Sequence, residues 1–217
     1  MLTVVLQNAN IEIIKTKRGK ELMSSEMPET RRRRNSSEYR PDILHQCLLI
    51  LLDSPLNKSG KLRVLVETTQ KKVITINPQT RIPRVYSRFA GLIIQLIERH
   101  RIYSEASRVE LMKVEKTTLE GNLPNKATRI GLSKEGENFF EYLQQKEAAL
   151  GRAQKEGEEK AEPEESENVI FYINAVSSGE DPTEGMDQIL SLSSYALSAA
   201  TCCSKICSQF ESMLGVF

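Results

Sequence analysis

The chain has 217 residues, and its 30 Lys and Arg against 29 Asp and Glu leave a net charge of +1. That length supports one sizeable core and is short for two. The near-neutral balance excludes a uniformly basic nucleic-acid coat and a wholly acidic tail protein. The longest apolar run, Cys47 to Leu52, is far too short to cross a bilayer, so no membrane span is expected.

In chain order, Met1-Leu2-Thr3-Val4-Val5-Leu6 carries neither a basic region nor a cleavage site and is expected to be a buried strand at Leu2–Leu6, not a signal peptide. Residues 15–40 are polar, with few apolar anchors, and contain Arg31-Arg32-Arg33-Arg34. Four adjacent guanidiniums suit nuclear targeting or RNA contact, and equally an exposed loop with incidental charge. Pro41 opens a helix, because its missing N–H has no partner in a first turn anyway. Ile43, Cys47 and Ile50 or Leu51 form its apolar stripe, widened by Leu48 and Leu52, and Asp53-Ser54-Pro55-Leu56-Asn57 ends it. Strands are predicted at Leu62–Val66 and Val73–Ile76, a turn at Asn77-Pro78, a helix over Ser87–Arg101 and a weaker strand at Val109–Val114.

Gly121–Pro124 breaks the pattern again. A helix beginning at Phe139 and reaching Leu150 runs into residues 144–168, an acidic stretch expected to be a flexible insertion. A strong strand, Val169–Asn174, follows, and a last helix spans about Leu197–Leu214. Strands alternating with helices argue for an α/β domain, here a single one over 1–217. The charge is unevenly spread. Lys58–Lys113 holds 12 Lys and Arg against 4 Asp and Glu, while Glu141–Glu167 holds 9 Glu against 4 Lys and Arg. A basic middle points to a polyanion-binding face.

Three constellations carry chemistry. In Arg40-Pro41-Asp42, the carboxylate lies in a helical first turn, where the helix dipole favours it. It either caps the helix or holds the Arg40 guanidinium in a fixed pose for phosphate or base-edge contact. In Asn77-Pro78-Gln79-Thr80-Arg81-Ile82-Pro83-Arg84-Val85-Tyr86-Ser87-Arg88, three arginines lead into a helix. That arrangement fits an RNA backbone, and also an arginine-rich surface loop without a ligand. After the strong strand come Asn174-Ala175-Val176-Ser177-Ser178-Gly179 and then Leu192–Ala199. These loops of small residues let backbone approach a nucleoside-like ligand, but match neither G-x-G-x-x-G nor a phosphate loop. His45 and His100 sit in apolar helical patterns and read as structural. No catalytic nucleophile stands out. Cys47, Cys202, Cys203 and Cys207 read as small buried residues in a reducing compartment, not as a metal site.

These motifs carry a resemblance. Arg40–Leu49, Leu52–Lys58 and Asn77–Arg84 resemble the ribosome-biogenesis pseudouridine N1-specific methyltransferases, members of the SPOUT class. The tail Leu192-Ser193-Ser194-Tyr195-Ala196-Leu197-Ser198-Ala199-Ala200 is similar to that family's last cofactor loop and knot helix. The resemblance covers the chain apart from the acidic stretch. It implies an α/β fold with a C-terminal trefoil knot and an obligate homodimer using S-adenosyl-L-methionine. The implied product is N1-methylpseudouridine in small-subunit rRNA of the 18S type. A second role in assembling the small-subunit pre-ribosome with other assembly factors, in the nucleus and nucleolus, is implied too.

By position, Arg40, Arg81, Arg84 and Arg88 match the family's rRNA-contacting arginines, and Asp42 matches the carboxylate that steadies Arg40. Leu132 falls near the first cofactor-binding position. Asn174 and Gly179 match two loop glycines, and Leu192, Ser193, Ser194, Tyr195, Ala196 and Leu197 match the last cofactor loop. The departures are Asn174 for glycine, Ser194-Tyr195-Ala196-Leu197 for Asn-Tyr-Pro-Leu, and Glu180 for a basic residue. Asn174 is expected to keep its turn by tolerating positive φ, with its side chain standing where a backbone would approach the ligand. The alternative from another class is a non-catalytic rRNA-binding assembly factor with a degenerate cofactor site.

Overall fold

A computed structural model describes residues 1–17, 19–28, 38–146, 168–177, 179, 181 and 183–216. The Arg31–Arg34 run, Ser178, Glu180 and most of the acidic stretch (147–167) lie outside the described residues.

Strand β1 (Leu2–Ala9) is the centre of the sheet. Its apolar run is nearly continuous because it pairs in parallel on both sides and is covered on both faces. One neighbour is β4 (Leu62–Thr68), with Val4 opposite Val64; the other is β9 (Val169–Asn174), with Val4 opposite Phe171. Strands β8 (Thr128–Asn138) and β10 (Gln188–Ser191) extend the parallel half beyond β9. On the other flank, β5 (Val73–Ile76), β7 (Glu110–Val114) and β6 (Arg101–Tyr103) add antiparallel pairs. The resulting order is β10-β8-β9-β1-β4-β5-β7-β6.

Alternation along the strands divides the side chains between two faces. Leu2, Val4, Leu6, Val64, Phe171 and Ile173 meet three helices: α1 (Pro41–Asp53), α3 (Tyr86–Arg99) and α4 (Ala199–Leu214). Phe171 takes Phe139 and Phe210 edge-on, each with ring centroids 5.8 Å away, which ties β9 to the end of β8 and to α4. On the opposite face, Val5, Leu65, Ile170 and Tyr172 meet Leu119 and Leu123 of the segment between β7 and β8. Residues 139–146 are helical, as expected from Phe139 onward.

Local chemistry sets the helix boundaries. Pro41 occupies the first turn of α1, and Ser54 ends it. The Ser54 hydroxyl donates to Leu51 O at 2.7 Å and accepts the Asn57 amide at 3.1 Å, so one residue closes α1 and starts the short α2 (Pro55–Lys58). Helix α4 starts at the Ser198 cap, whose hydroxyl accepts Thr201 N–H at 3.2 Å, and stops at Gly215 with φ 60°.

Three expectations are corrected. Residues 15–40 are not without anchors. Strands β2 (Ile13–Thr16) and β3 (Gly19–Leu22) form a hairpin, Leu22 and Met23 are buried, and Lys20 pairs with Glu98 of α3. The helix expected to reach Arg101 stops at Arg99, because His100 adopts φ 63° and the chain turns into β6. Strand β8 was not expected, since glycines and charges interrupt its apolar pattern.

Candidate functional site

A cavity of about 500 Å³ opens where the carboxyl ends of β9 and β10 meet the start of α1. Open α/β sheets bind ligands in such a place. Its floor is buried and mostly apolar: Ile173 from β9, Leu190 from β10 and Leu192 just beyond. One wall is the loop after β9, with Val176, Ser177, Gly179 and Asp181. A second is the chain from Ser193 into α4, where the small Ala196, Ala199 and Ala200 leave room for a ligand. A third, Leu132-Ser133-Lys134, comes from an irregularity in β8. Consecutive β10 residues Ile189 and Leu190 pair with Gly131 and Glu137, so residues 132–136 fall out of register, and Leu132, Ser133 and Lys134 of that stretch reach the cavity.

Gly136 makes that excursion possible. A Cβ there would stand 2.7 Å from Ile189 O and from Leu190 C, both backbone atoms. The signal was present as Gly136 within a charged stretch, but only the pairing with β10 reveals its purpose.

The first arginine motif reaches this cavity from α1. Arg40 lines it together with Ile43 and Gln46. The Arg40 Nε donates to Asp42 Oδ1 at 2.9 Å, and one terminal nitrogen donates to Oδ2 at 2.7 Å. This fork fixes the guanidinium plane. The pairing raises the Arg40 pKa and holds the Asp42 carboxyl below its ordinary value; the backbone amides of Asp42 and Ile43 add to the latter. Asp42 thus both steadies Arg40 and binds the helix start.

The second motif stands beside the first. Tyr86, at the start of α3, has its hydroxyl pushed up to about 12 by burial and then by the charges of Asp42 and Glu26. His45 of α1 stacks on Phe89 of α3 at 4.3 Å, and its Nε2–H donates to Pro83 O at 2.7 Å. Asn57 donates to Pro78 O at 2.9 Å, Asn77 to Glu110 O at 3.1 Å, and the Thr80 hydroxyl to Leu111 O at 2.8 Å. Buried anchors from α1, α2 and β7 therefore hold the 77–85 loop in one shape. His45 is structural, and so is His100, whose backbone ends α3. Arg81, Arg84 and Arg88 are exposed on this rigid base and lie outside the cavity. Arg84 donates to Asp53 Oδ2 at 3.0 Å, while Arg81 and Arg88 have no ion-pair partner among the described residues.

Of the residues expected at a cofactor, Leu132, Asn174, Gly179, Leu192, Ser193, Tyr195, Ala196 and Leu197 line the cavity, and Ser194 does not. Asn174 ends β9 and is not among the residues with positive φ, contrary to expectation. Its Oδ1 accepts Asn8 Nδ2 at 2.8 Å, and it is Asn8 that carries φ 57°. Asn at 174 is thus accommodated by a partner on β1. Sequence reasoning missed Ser133, Lys134, Asp181 and Cys202, which reach the cavity only through the fold. Burial lifts the Cys202 thiol to about 11, so it is not a nucleophile at neutral pH. Cys203 and Cys47 are free thiols that share a hydrogen bond across the α1–α4 contact, and this, with burial, raises Cys203 as well. No group of His, Cys, Asp and Glu among the described residues is arranged to hold a metal ion.

Fold and site together define an α/β protein with a ligand cavity at parallel strand ends and an arginine-bearing surface beside it. Residues 4–211 match the family model described as EMG1/NEP1 methyltransferase, and the chain belongs to that family. It is 38% identical over 218 residues to the ribosomal RNA small subunit methyltransferase NEP1 of Drosophila melanogaster, covering 99% of this chain and 83% of that one. To the human protein of the same name it is 33% identical over 218 residues, covering 99% of this chain and 82% of the other. The crystal structure of Archaeoglobus fulgidus Nep1 bound to S-adenosylhomocysteine shares the fold, with TM-score 0.75, 22% identity and 98% of each chain covered.

Proposed function

We propose that this protein is an S-adenosyl-L-methionine-dependent methyltransferase acting on N1 of a pseudouridine in small-subunit rRNA. The observation that carries the reading is one cavity lined jointly by the clamped Arg40 guanidinium and by the loops after β9 and β10. The names of the relatives support the rRNA substrate, and the S-adenosylhomocysteine in the archaeal structure supports the cofactor.

The residues present fit that cofactor. The volume is in the range of small-molecule sites, and the lining combines apolar side chains with exposed backbone. Leu132, Leu190, Leu192 and Leu197 offer apolar contacts for an adenine ring, while Ser177, Gly179 and the start of α4 offer small residues at close approach. When bound, S-adenosylmethionine supplies an electrophilic methyl group. The chain's own residues do the rest by positioning. Arg40, held flat by Asp42, stabilises negative charge as it grows on the ring, whose N1 proton passes to solvent. Arg81, Arg84 and Arg88 hold the RNA backbone on a surface that does not rearrange.

The reading extends to quaternary structure and topology. Strand β10 lies beyond β8 at the sheet edge, yet the chain returns so that α4 packs on α1 and β9. That crossing supports a trefoil knot. The homodimer, the role beside other small-subunit assembly factors and the nucleolar location follow from the resemblance. Sedimentation should give twice the mass of 24.6 kDa; a monomer at micromolar concentration contradicts the dimer. Titration with S-adenosylhomocysteine tests the site itself. Saturable binding supports the enzyme, and no binding supports an assembly factor that has lost transfer.

A further inference from the structure

We propose that the Tyr195 ring is the stacking platform for the target base once that base leaves the RNA stack. This rests on the reading of the cavity as the site of methyl transfer. A base turned out of a stack loses its neighbours' π faces, and a protein that accepts it supplies a replacement. Two tyrosines line the cavity. The Tyr172 ring is 3% exposed and packs among Leu119, Leu123 and Val5 on the far face of the sheet. The Tyr195 ring is 79% exposed at the cavity mouth, the side from which RNA must arrive.

The loop that carries it is braced. Ser193 Oγ accepts the Tyr195 amide at 3.2 Å, Ser191 Oγ donates to Ser193 O at 3.0 Å, and Ser198 caps α4 just beyond. The Tyr195 hydroxyl makes no hydrogen bond to a described residue, so the ring is not committed elsewhere. Arg40 lines the same cavity and brings a fixed positive charge. The mouth therefore offers a π face and a cation, while the floor of Ile173, Leu190 and Leu192 is left for the cofactor. Position 195, exposed and lining the cavity, then offers its ring to the base, while the floor and the rest of the loop serve the cofactor.

The test compares wild type, Tyr195→Ala and Tyr195→Phe on two RNA hairpins, one with pseudouridine at the loop and one abasic there. S-adenosylhomocysteine affinity is measured on the same samples. Tyr195→Ala should weaken binding of the pseudouridine hairpin by about 5- to 150-fold, while Tyr195→Phe stays within about 3-fold. All three proteins should bind the abasic hairpin alike, and any change in S-adenosylhomocysteine affinity should be smaller than the loss on the pseudouridine hairpin. An equal loss on both hairpins, no loss on either, or a parallel loss of S-adenosylhomocysteine affinity overturns the proposal. A wild type that binds S-adenosylhomocysteine but neither hairpin overturns the rRNA reading, and this proposal with it.

Discussion

Besides binding the start of α1, Asp42 holds Arg40 flat at the cavity rim through a two-point contact. Asp42→Ala should lower methyl transfer by about 10-fold or more, since a free guanidinium must be ordered at each turnover. S-adenosylhomocysteine affinity should not change. Arg40 keeps the Asp42 carboxyl below its ordinary value of 3.8. The stabilisation from the pair is therefore complete above that pH and is lost as pH falls through the lowered value. A pH profile of RNA binding should show no step from this pair between about pH 5 and 9. Cys202 titrates at the other extreme. With its thiol lifted to about 11, its iodoacetamide alkylation rate should keep rising beyond pH 10 rather than level off near the ordinary thiol value of 9.0. A plateau by pH 9 would show that the thiol is not buried as described. Arg84 is 82% exposed at its side chain and, among the described residues, pairs with Asp53 alone. Arg84→Ala should weaken RNA binding and flatten its dependence on log salt by about 0.7 to 0.9, the share of one phosphate contact. An unchanged slope would remove Arg84 from the interface.

At the scale of elements, the excursion of β8 is the feature on which the cavity most depends. Gly136→Ala would set a Cβ against the backbone of β10 at 2.7 Å, where no flexible side chain can yield. It should destabilise the protein by about 1–3 kcal/mol and displace the β10 end of the cavity. Thermal unfolding and S-adenosylhomocysteine titration on one variant check both effects, and an unchanged Tm with unchanged affinity contradicts the register. This element was also the least legible in the sequence. Strands β1, β4, β5 and β9 stand out because burial on both faces makes their apolar runs continuous. Helix α1 stands out because Pro41 marks its start, and α4 because of its apolar stripe, though it was expected from about Leu197 and begins at Ala199 after the Ser198 cap. Strand β8 does not stand out, because residues 132–136 leave the ladder with β10 and carry Lys134 and Glu135, and the strand rejoins it at the charged Glu137. Likewise, Arg40, Asp42 and the 77–88 motif were readable as a motif. Ser133, Asp181 and Cys202 became visible only when distant segments met at one cavity.

For the whole molecule, the two arginine motifs and the two strand-end loops come from four separate parts of the chain, and the sheet order brings them to one side. Helices α1, α3 and α4 share one core cluster, with Leu48, Phe89 and Ile206 all buried in it. The cavity therefore sits on a continuous packed base, and the residues proposed to meet RNA and those proposed to meet the cofactor share it. The direct measurement of this account is methyl transfer from labelled S-adenosylmethionine to two matched RNA hairpins, one with pseudouridine in its loop and one with uridine. The account predicts transfer to the pseudouridine hairpin alone, with S-adenosylhomocysteine binding confirmed on the same sample. No transfer to either, with both hairpins and the cofactor still bound, would contradict it and leave an rRNA-binding assembly factor in its place.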